Sequence, residues 1–233
     1  MKNNLTWQYD EFKQIGTDYS KKAEVEIYDA SHSTFRDMKS EALTVIGLLG
    51  IKRSDTVIDF GSGTGEFAIQ ASQHCTRVHA VDVSQAMLDH AKSKAAQEKA
   101  SNIEFHHAGF LSYKHTDQSV DAVVTTFAFH HLPDFLKGIA LKRIFHFLKP
   151  GGQLYIHDVI LKEDDATINI QALIDKLGEA GGKLLQEDTE RHFKDEYSTY
   201  DWVMDELLSQ AGFTVKSKQI DDGVLGTYVC TRN

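Results

Sequence analysis

The chain has 233 residues, a formal net charge of −9, 41% hydrophobic residues and 25% charged residues. This length suits one large α/β domain with a buried core, and the composition argues against a disordered or fibrous chain. The acidic balance disfavours nucleic acid as a partner, because proteins that bind a phosphate backbone usually present a basic face.

The beginning of the chain predicts neither a secretory signal nor a membrane anchor. Residues 1–10 carry one lysine and no apolar core segment, and no stretch reaches the length of a transmembrane helix. Cys75 and Cys230 are far apart and outside any C-x-x-C spacing, which favours free thiols in a reducing compartment. We therefore expect a cytoplasmic protein without membrane insertion, and the sequence leaves the oligomeric state open.

Short apolar runs alternate with helical stretches, a pattern typical of βαβ units and a parallel sheet. Residues 1–42 are predicted to form a helical arm or lid, and a helix over 31–49 leads into the main domain, 43–233. The predicted strands cover residues 56–60, 77–82, 103–107, 120–126 and 153–159, and the helices between them cover 66–73, 84–99 and 135–148. Helices over 164–177 and 198–210 belong to a helical insertion at about 161–211, and strands over 213–220 and 226–231 are predicted to form a closing hairpin.

The first predicted strand, VIDF, continues into the turn GSGTGEF, with Gly61, Gly63 and Gly65 at every second position. Glycine permits positive φ and leaves no side chain between the backbone and a ligand. A dinucleotide-binding turn would need its third glycine where Glu66 stands, and Asp59 and Glu66 would then flank a doubly charged pyrophosphate. S-adenosylmethionine instead carries a positive sulfonium and a positive amino group. Two carboxylates beside the turn would attract these charges.

The pattern D-x-G-x-G-x-G after a strand resembles motif I of the class I S-adenosylmethionine-dependent methyltransferases. Three further stretches are similar to motifs of that family: VDVS, whose acid follows the first glycine by about twenty residues, DAVVTTFAFHHLPDF, and LKPGGQLYIHD. Together with Ala211-Gly212-Phe213, the resemblance covers about residues 43–231. It implies a Rossmann-like, doubly wound sheet of seven mostly parallel strands in three αβα layers, with a C-terminal antiparallel hairpin, and a methyltransferase activity (EC 2.1.1.-) with S-adenosylmethionine as cofactor.

The resemblance also implies which residues hold the cofactor. Asp59 and the glycine turn would hold the amino-acid end, Asp82 the ribose, and Met87 would pack on the adenine. The family often has Gly-Asp after the third strand where this chain has Gly109-Phe110, so we expect backbone groups and the phenylalanine ring to hold the adenine. The full set implied in this way is Asp59, Gly61, Ser62, Gly63, Gly65, Asp82, Val83, Met87, Gly109, Phe110, Thr126 and Phe127.

The methyl acceptor is predicted to bind beside the loop that follows the fourth strand. His130 is the candidate base for an acceptor that carries a proton, although its ring can equally pack beneath the loop and cap backbone groups. Tyr19, Tyr28, Arg36 and His131 are predicted to line the substrate pocket, with aromatic packing as the alternative role of the tyrosines.

A small-molecule acceptor fits best, because the chain resembles the branch of the family that includes the quinone-biosynthesis C-methyltransferases and has no Asn-Pro-Pro-Tyr motif. No metal site is expected, since the adjacent pairs His106-His107 and His130-His131 would point to opposite faces of a strand. An NAD-dependent oxidoreductase and a non-catalytic S-adenosylmethionine-binding protein remain as alternatives.

Overall fold

The computed structural model describes residues 9–13, 15, 25, 36–115 and 119–233. In chain order the elements are α1 (Met38–Leu49), β1 (Thr56–Phe60), α2 (Glu66–Ser72), β2 (Arg77–Asp82), α3 (Gln85–Gln97), β3 (Ile103–His107), β4 (Val120–Thr126), a 3-10 helix (Phe129–His131), α4 (Asp134–Phe147), β5 (Leu148–Leu161), α5 (Ala166–Asp195), β6 (Thr199–Tyr200), α6 (Asp201–Ala211), β7 (Phe213–Asp221) and β8 (Leu225–Arg232).

The main sheet has the strand order β3-β2-β1-β4-β5-β8-β7, and the short β6 pairs with β5 beside it. Strands β1 to β5 run parallel, whereas β8 is antiparallel to both β5 and β7. The predicted Rossmann-like α/β class with an antiparallel C-terminal hairpin is therefore confirmed.

Both faces of the sheet are covered, as its buried strands require. Val57 of β1 packs in an apolar cluster with residues of α1 and α2, such as Val45 and Ala68. Its neighbour Ile58 belongs to a second cluster with residues of α4 and α6, such as Ile144 and Leu208. The alternation of side chains along β1 thus joins two cores, one on each face, which is the expected three-layer arrangement.

Three helix boundaries differ from the sequence prediction. Helix α1 begins at Met38, because the Asp37 carboxylate caps it by accepting the Ser40 N–H at 3.0 Å. Residues 36 and 37 of the predicted helix are therefore not helical, and its first five residues, 31–35, lie outside the described residues. Helix α5 extends to Asp195, where the prediction ended at residue 177, but it is two helical segments joined by a kink at Gly182 (φ 72°, ψ −167°). Helix α6 starts at Asp201 because the two preceding residues pair with β5.

The sheet topology places a crevice beyond the carboxyl ends of β1 and β4. These strands are neighbours, yet the chain leaves β1 for β2 and β3 on one side before it returns to β4 on the other. Ligands of open α/β sheets bind at such a switch point. Separately, none of the described helices combines the length and the apolar character needed to cross a bilayer.

Candidate functional site

The turn after β1 is held closely against the segment that follows β4. The N–H groups of Gly61 and Ser62 both donate to the Val81 carbonyl, at 2.9 and 3.1 Å. Gly61 has φ +70°, and a Cβ built on it would lie 2.2 Å from the Ala128 Cβ. Residue 61 therefore has to be glycine both for its backbone conformation and for this close approach.

The other two glycines of the turn, Gly63 and Gly65, have different structural roles. A Cβ on Gly63 (φ +52°) would meet no atom within 4 Å, so this face of the turn is open to a ligand. A Cβ on Gly65 (φ +83°) would lie 2.8 Å from the Ala91 Cβ, which shows that Gly65 permits α3 to approach the start of α2. Gly65 is thus a packing residue in the geometry of the described chain.

Asp59, near the end of β1, is a buried carboxylate at 4% exposure. Its pKa is raised to about 8, first by burial and then by the charge of Asp82. The Asp59 Oδ2, Ser62 Oγ and Thr125 Oγ1 atoms are buried and have no hydrogen-bond partner among the described residues. Thr125 pairs with Phe60 and its side chain is on the other face of the sheet from Asp59, whereas Asp59 and Ser62 line the same cavity. Because buried polar atoms are normally paired, the unpaired atoms of Asp59 and Ser62 fit a polar ligand with hydrogen-bond donors.

Asp82 ends β2 and ties the glycine turn to the start of α3. Its Oδ2 accepts the Gly63 N–H at 2.8 Å and its Oδ1 accepts the Ser84 N–H at 2.7 Å. Burial nevertheless raises the pKa of Asp82. Ser84 in turn caps α3 by accepting the Met87 N–H at 3.1 Å.

Eight of the predicted cofactor residues line one cavity between the ends of β2 and β3, here called the β2–β3 cavity: Gly61, Gly63, Asp82, Val83, Met87, Gly109, Phe110 and Phe127. Phe110 stacks on Phe60 with ring centroids 4.9 Å apart, so it belongs to the core as well as to the cavity wall. The Gly109 N–H already donates to Ser112 Oγ at 3.0 Å, which leaves less free backbone here than the sequence led us to expect.

A second cavity, the β1–β4 cavity, adjoins the first across the glycine turn and is lined by Arg36, Asp59, Ser62, Thr126 and Phe127 among others. Phe127 adopts φ 51°, which is uncommon for a large side chain, and its N–H donates to the His157 carbonyl at 2.9 Å. The Arg36 guanidinium lies 4.5 Å from the centre of the Phe127 ring. Phe127 and Arg36 therefore stand together at the mouth of the cavity.

A third cavity lies between α5 and the ends of β4 and β5, and we call it the α5 cavity. It contacts the other two at Arg36, Phe127 and His131. The lining combines apolar side chains such as Leu173 and Leu185 with charged and polar ones. The candidate base His130 and two of the predicted pocket residues, Arg36 and His131, therefore share this cavity.

His130 is clamped between two carboxylates. Its Nδ1 lies 2.5 Å from Asp158 Oδ1 and its Nε2 lies 3.1 Å from Glu196 Oε2. Burial opposes the charge on the ring, but both carboxylates favour it, and the net effect raises the pKa of His130 to about 9. Asp158 also accepts the N–H groups of Phe129 and His130, so the same carboxylate orients the ring and caps the 3-10 helix.

The neighbouring histidine, His131, has a lowered pKa, in contrast to His130. Burial and then the charge of His130 lower its pKa to about 4. His131 is consequently a neutral imidazole at neutral pH, and it lines both the β2–β3 cavity and the α5 cavity.

Sequence reasoning missed several residues of the site. Asp158 stands at the end of the stretch LKPGGQLYIHD, where the carboxyl end of a strand is a usable signal. Glu196, His192 and Glu11 gave no such signal, because each reaches the site from a distant part of the chain. Tyr19 and Tyr28, predicted in the substrate pocket, lie outside the described residues.

Two clusters bring together groups that can ligate a metal ion: His79 with Glu104 and His106, and His130 with His192 and Glu196. The sequence could not indicate either, since each joins different elements. The expectation of no metal stays a prediction.

The turn is poorly suited to a pyrophosphate. The N–H groups of Gly61, Ser62 and Gly63 all donate within the protein, and the acids Asp59 and Asp82 stand beside them. A phosphate site at a glycine turn uses such N–H groups as donors, so the electrostatics favour a ligand with cationic and hydroxyl donors.

Comparison with known proteins agrees with this chemistry. Residues 57–152 match the model of a methyltransferase domain. The chain is 32% identical over 168 residues to an uncharacterized methyltransferase of Bacillus pumilus, covering 72% of this chain and 73% of that protein. It belongs to the class I S-adenosylmethionine-dependent methyltransferases.

Solved structures of this family share the fold. A SAM dependent methyltransferase from Aquifex aeolicus superposes with a TM-score of 0.64 at 22% identity, covering 91% of this chain and 99% of that chain. The geranyl diphosphate C-methyltransferase from Streptomyces coelicolor, in complex with S-adenosyl-L-homocysteine, superposes with a TM-score of 0.65 at 13% identity, covering 83% of this chain and 76% of that chain.

Membership of this family confirms the predicted enzyme class, EC 2.1.1.-, with S-adenosylmethionine as the methyl donor, and sets the oxidoreductase and the non-catalytic alternatives aside. The methyltransferase site also fits its cofactor. The unpaired atoms of Asp59 and Ser62 offer acceptors, and the open face of Gly63 leaves room for a ligand beside them.

Proposed function

We propose that this methyltransferase transfers the methyl group of S-adenosylmethionine to a small-molecule acceptor bound in the α5 cavity. The observation that carries the proposal is the shared wall at Phe127 and Arg36, where the α5 cavity adjoins the β1–β4 cavity. Methyl transfer requires the donor and the acceptor to meet in line, and adjoining cavities allow that alignment.

The β1–β4 and β2–β3 cavities would divide the cofactor between them. Asp59 and Ser62, with their unpaired buried oxygens, would hold the amino-acid end beside Thr126. Asp82 would accept the ribose hydroxyls, while Met87 and Phe110 would form apolar walls for the adenine. Bound in this way, S-adenosylmethionine supplies an electrophilic methyl carbon whose thioether leaving group needs no proton.

The two histidines would have separate roles in this proposal. His130 holds its proton up to a pKa of about 9 and has both ring nitrogens next to carboxylates, so it would act as a charged positioning group. His131 is neutral and lines the cavity, so it is the ring available to hydrogen bond an acceptor. The direct catalytic role predicted for His130 thus needs a deprotonation that its partners oppose.

A small and partly apolar acceptor is supported by the lining of the α5 cavity, where leucines stand beside charged side chains. Geranyl diphosphate, the compound in the name of one structural neighbour, combines the same two characters. We also propose that the enzyme is related to the quinone-biosynthesis branch of the family. We further propose a cytoplasmic location, which the two free buried cysteines favour.

A matched pair of cavity variants tests the placement of the acceptor. Acceptors would first be screened for release of S-adenosylhomocysteine by the wild-type enzyme. Leu185 lines the α5 cavity, whereas its neighbour Leu184 is 74% exposed and does not. We expect L185W to raise the KM for the acceptor at least tenfold with little change in cofactor affinity, and L184W to behave as wild type. Equal acceptor kinetics in the two variants would place the acceptor elsewhere, and methylation of nucleic acid or protein alone would refute a small-molecule acceptor.

A further inference from the structure

The N-terminal segment 9–13 lies over the β2–β3 cavity and is anchored to it at three points. The Tyr9 hydroxyl donates to the His131 carbonyl at 2.8 Å. Glu11 Oε2 accepts the Leu111 N–H at 2.9 Å. The ring of Phe12 meets the ring of His107 edge to face, with centroids 5.2 Å apart. The position of Glu11 is therefore fixed by contacts on both sides of it.

The Glu11 carboxylate fills the space that a side chain at position 109 would occupy. A Cβ built on Gly109 would lie 2.5 Å from Glu11 Oε2 and 2.7 Å from its Cδ. Gly109 has no side chain, and the next residue, Phe110, is turned into the core against Phe60. An acid that comes from 98 residues earlier in the chain thus stands where β3 itself provides none.

One oxygen of this carboxylate is unused. Oε1 of Glu11 is buried and has no hydrogen-bond partner among the described residues, while Oε2 is satisfied by Leu111. Glu11 lines the cavity together with Asp82 and Met87. A buried acceptor left open beside a cavity is costly unless a ligand donates to it.

We propose that Glu11 accepts a hydrogen bond from the exocyclic amino group of the adenine and so selects this base. The inference rests on the proposed division of the cofactor, in which Asp82 holds the ribose and the base lies farther towards Gly109. The exocyclic amino group is the strong donor of adenine, and a base with an oxo group at the same carbon would set a second acceptor against the carboxylate. Glu11 is thereby a specificity residue supplied by the N-terminal segment.

Calorimetric binding to the full chain tests this assignment without a methyl acceptor. The ligands are S-adenosylhomocysteine and its analogue that lacks the 6-amino group. We expect wild-type protein to prefer the amino compound by roughly tenfold, since one charged hydrogen bond is lost in the analogue. E11A should bind the two ligands with affinities within about twofold of each other, and E11Q, which keeps the shape of the side chain, should show a reduced preference. Asp10, exposed and next in the chain, provides the control: D10N, which removes the charge but keeps an oxygen to accept the Phe12 N–H, should keep the full preference.

The outcomes distinguish an error in the role of Glu11 from an error in the placement of the whole cofactor. D82A should lose affinity for both ligands but retain the preference for the amino group, because the contact between Glu11 and the adenine is unchanged in this variant. Undiminished preference in E11A or E11Q would overturn the role of Glu11 while leaving the proposed function intact. Unchanged affinity in D82A, or absence of binding to wild type, would overturn the placement of the cofactor on which the role depends.

Discussion

Binding of the cofactor is predicted to expel a proton from Asp59. In the free protein this carboxyl is buried beside Asp82 and its pKa is raised to about 8, so at pH 7 about nine in ten molecules hold it protonated. A cationic amino group placed against Asp59 favours the ionised form. Binding at pH 7 should therefore release about 0.9 proton per site.

The same linkage gives the pH dependence of affinity. Below its pKa the carboxyl must lose its proton before it can pair with the ligand, so the observed binding constant should rise about ninefold from pH 6 to pH 7 and level off above pH 8. The amino group of the ligand stays protonated over the lower range, because α-amino groups titrate near 7.7 to 8.0. Burial also raises the pKa of Asp82, so this second acid would act in the same direction.

Calorimetry with S-adenosylhomocysteine in buffers of different ionisation enthalpy measures the proton directly. D59N retains Asp82 and is the matched control: we expect weaker binding, and an affinity that changes less than threefold from pH 6 to pH 7. A wild-type dissociation constant that varies less than twofold over the same unit would refute the reasoning, since Asp59 would then be ionised already or distant from the amino group.

Three further variants test other parts of the site. D82A should weaken S-adenosylhomocysteine binding by about 1 to 3 kcal/mol in titration calorimetry, through loss of charged hydrogen bonds. G63A should lower stability by only about 1 to 2 kcal/mol, because its φ of +52° is strained for alanine but the space is open, and yet it should abolish ligand binding, whereas G61A should unfold more readily through its clash with Ala128. H130Q should lose about 3 to 5 kcal/mol in denaturant titration at pH 7, and the difference from wild type should shrink as pH rises. The sign follows from the raised pKa: the stabilisation by His130 is complete below pH 6.5 and is lost as pH rises through about 9. A gap that widens above pH 8 would contradict it.

The sheet could be predicted because its strands are short, apolar and punctuated. The turn after β1 and the stretch VDVS each mark the carboxyl end of a strand, and the structure brings them together at the crevice. The glycines in α5 indicate a break, and the chain does leave the helical conformation at Gly182. The sequence prediction missed the second helical segment, between this kink and Asp195.

The candidate site, too, could be predicted from the sequence only in part. Asp82, the last residue of β2, and Met87, in the first turn of α3, were predictable from their position in the motif. The partners of His130 were not, because Glu196 comes from the end of α5, and a helix pattern does not show which residue its last turn presents to another element. The pKa of a histidine depends on such partners, so its charge cannot be read from the sequence.

The raised pKa of Asp59 makes the stability of the free protein depend on pH. Raising the pKa of Asp59 from 3.8 to about 8 means that the folded chain binds a proton that the unfolded chain does not, so stability falls as pH rises between these two values. A cationic ligand removes that penalty at neutral pH, and ligand binding adds further stability in proportion to the logarithm of its concentration. The carboxylate that opposes folding of the free protein is therefore the same group that favours a positively charged ligand over a phosphate.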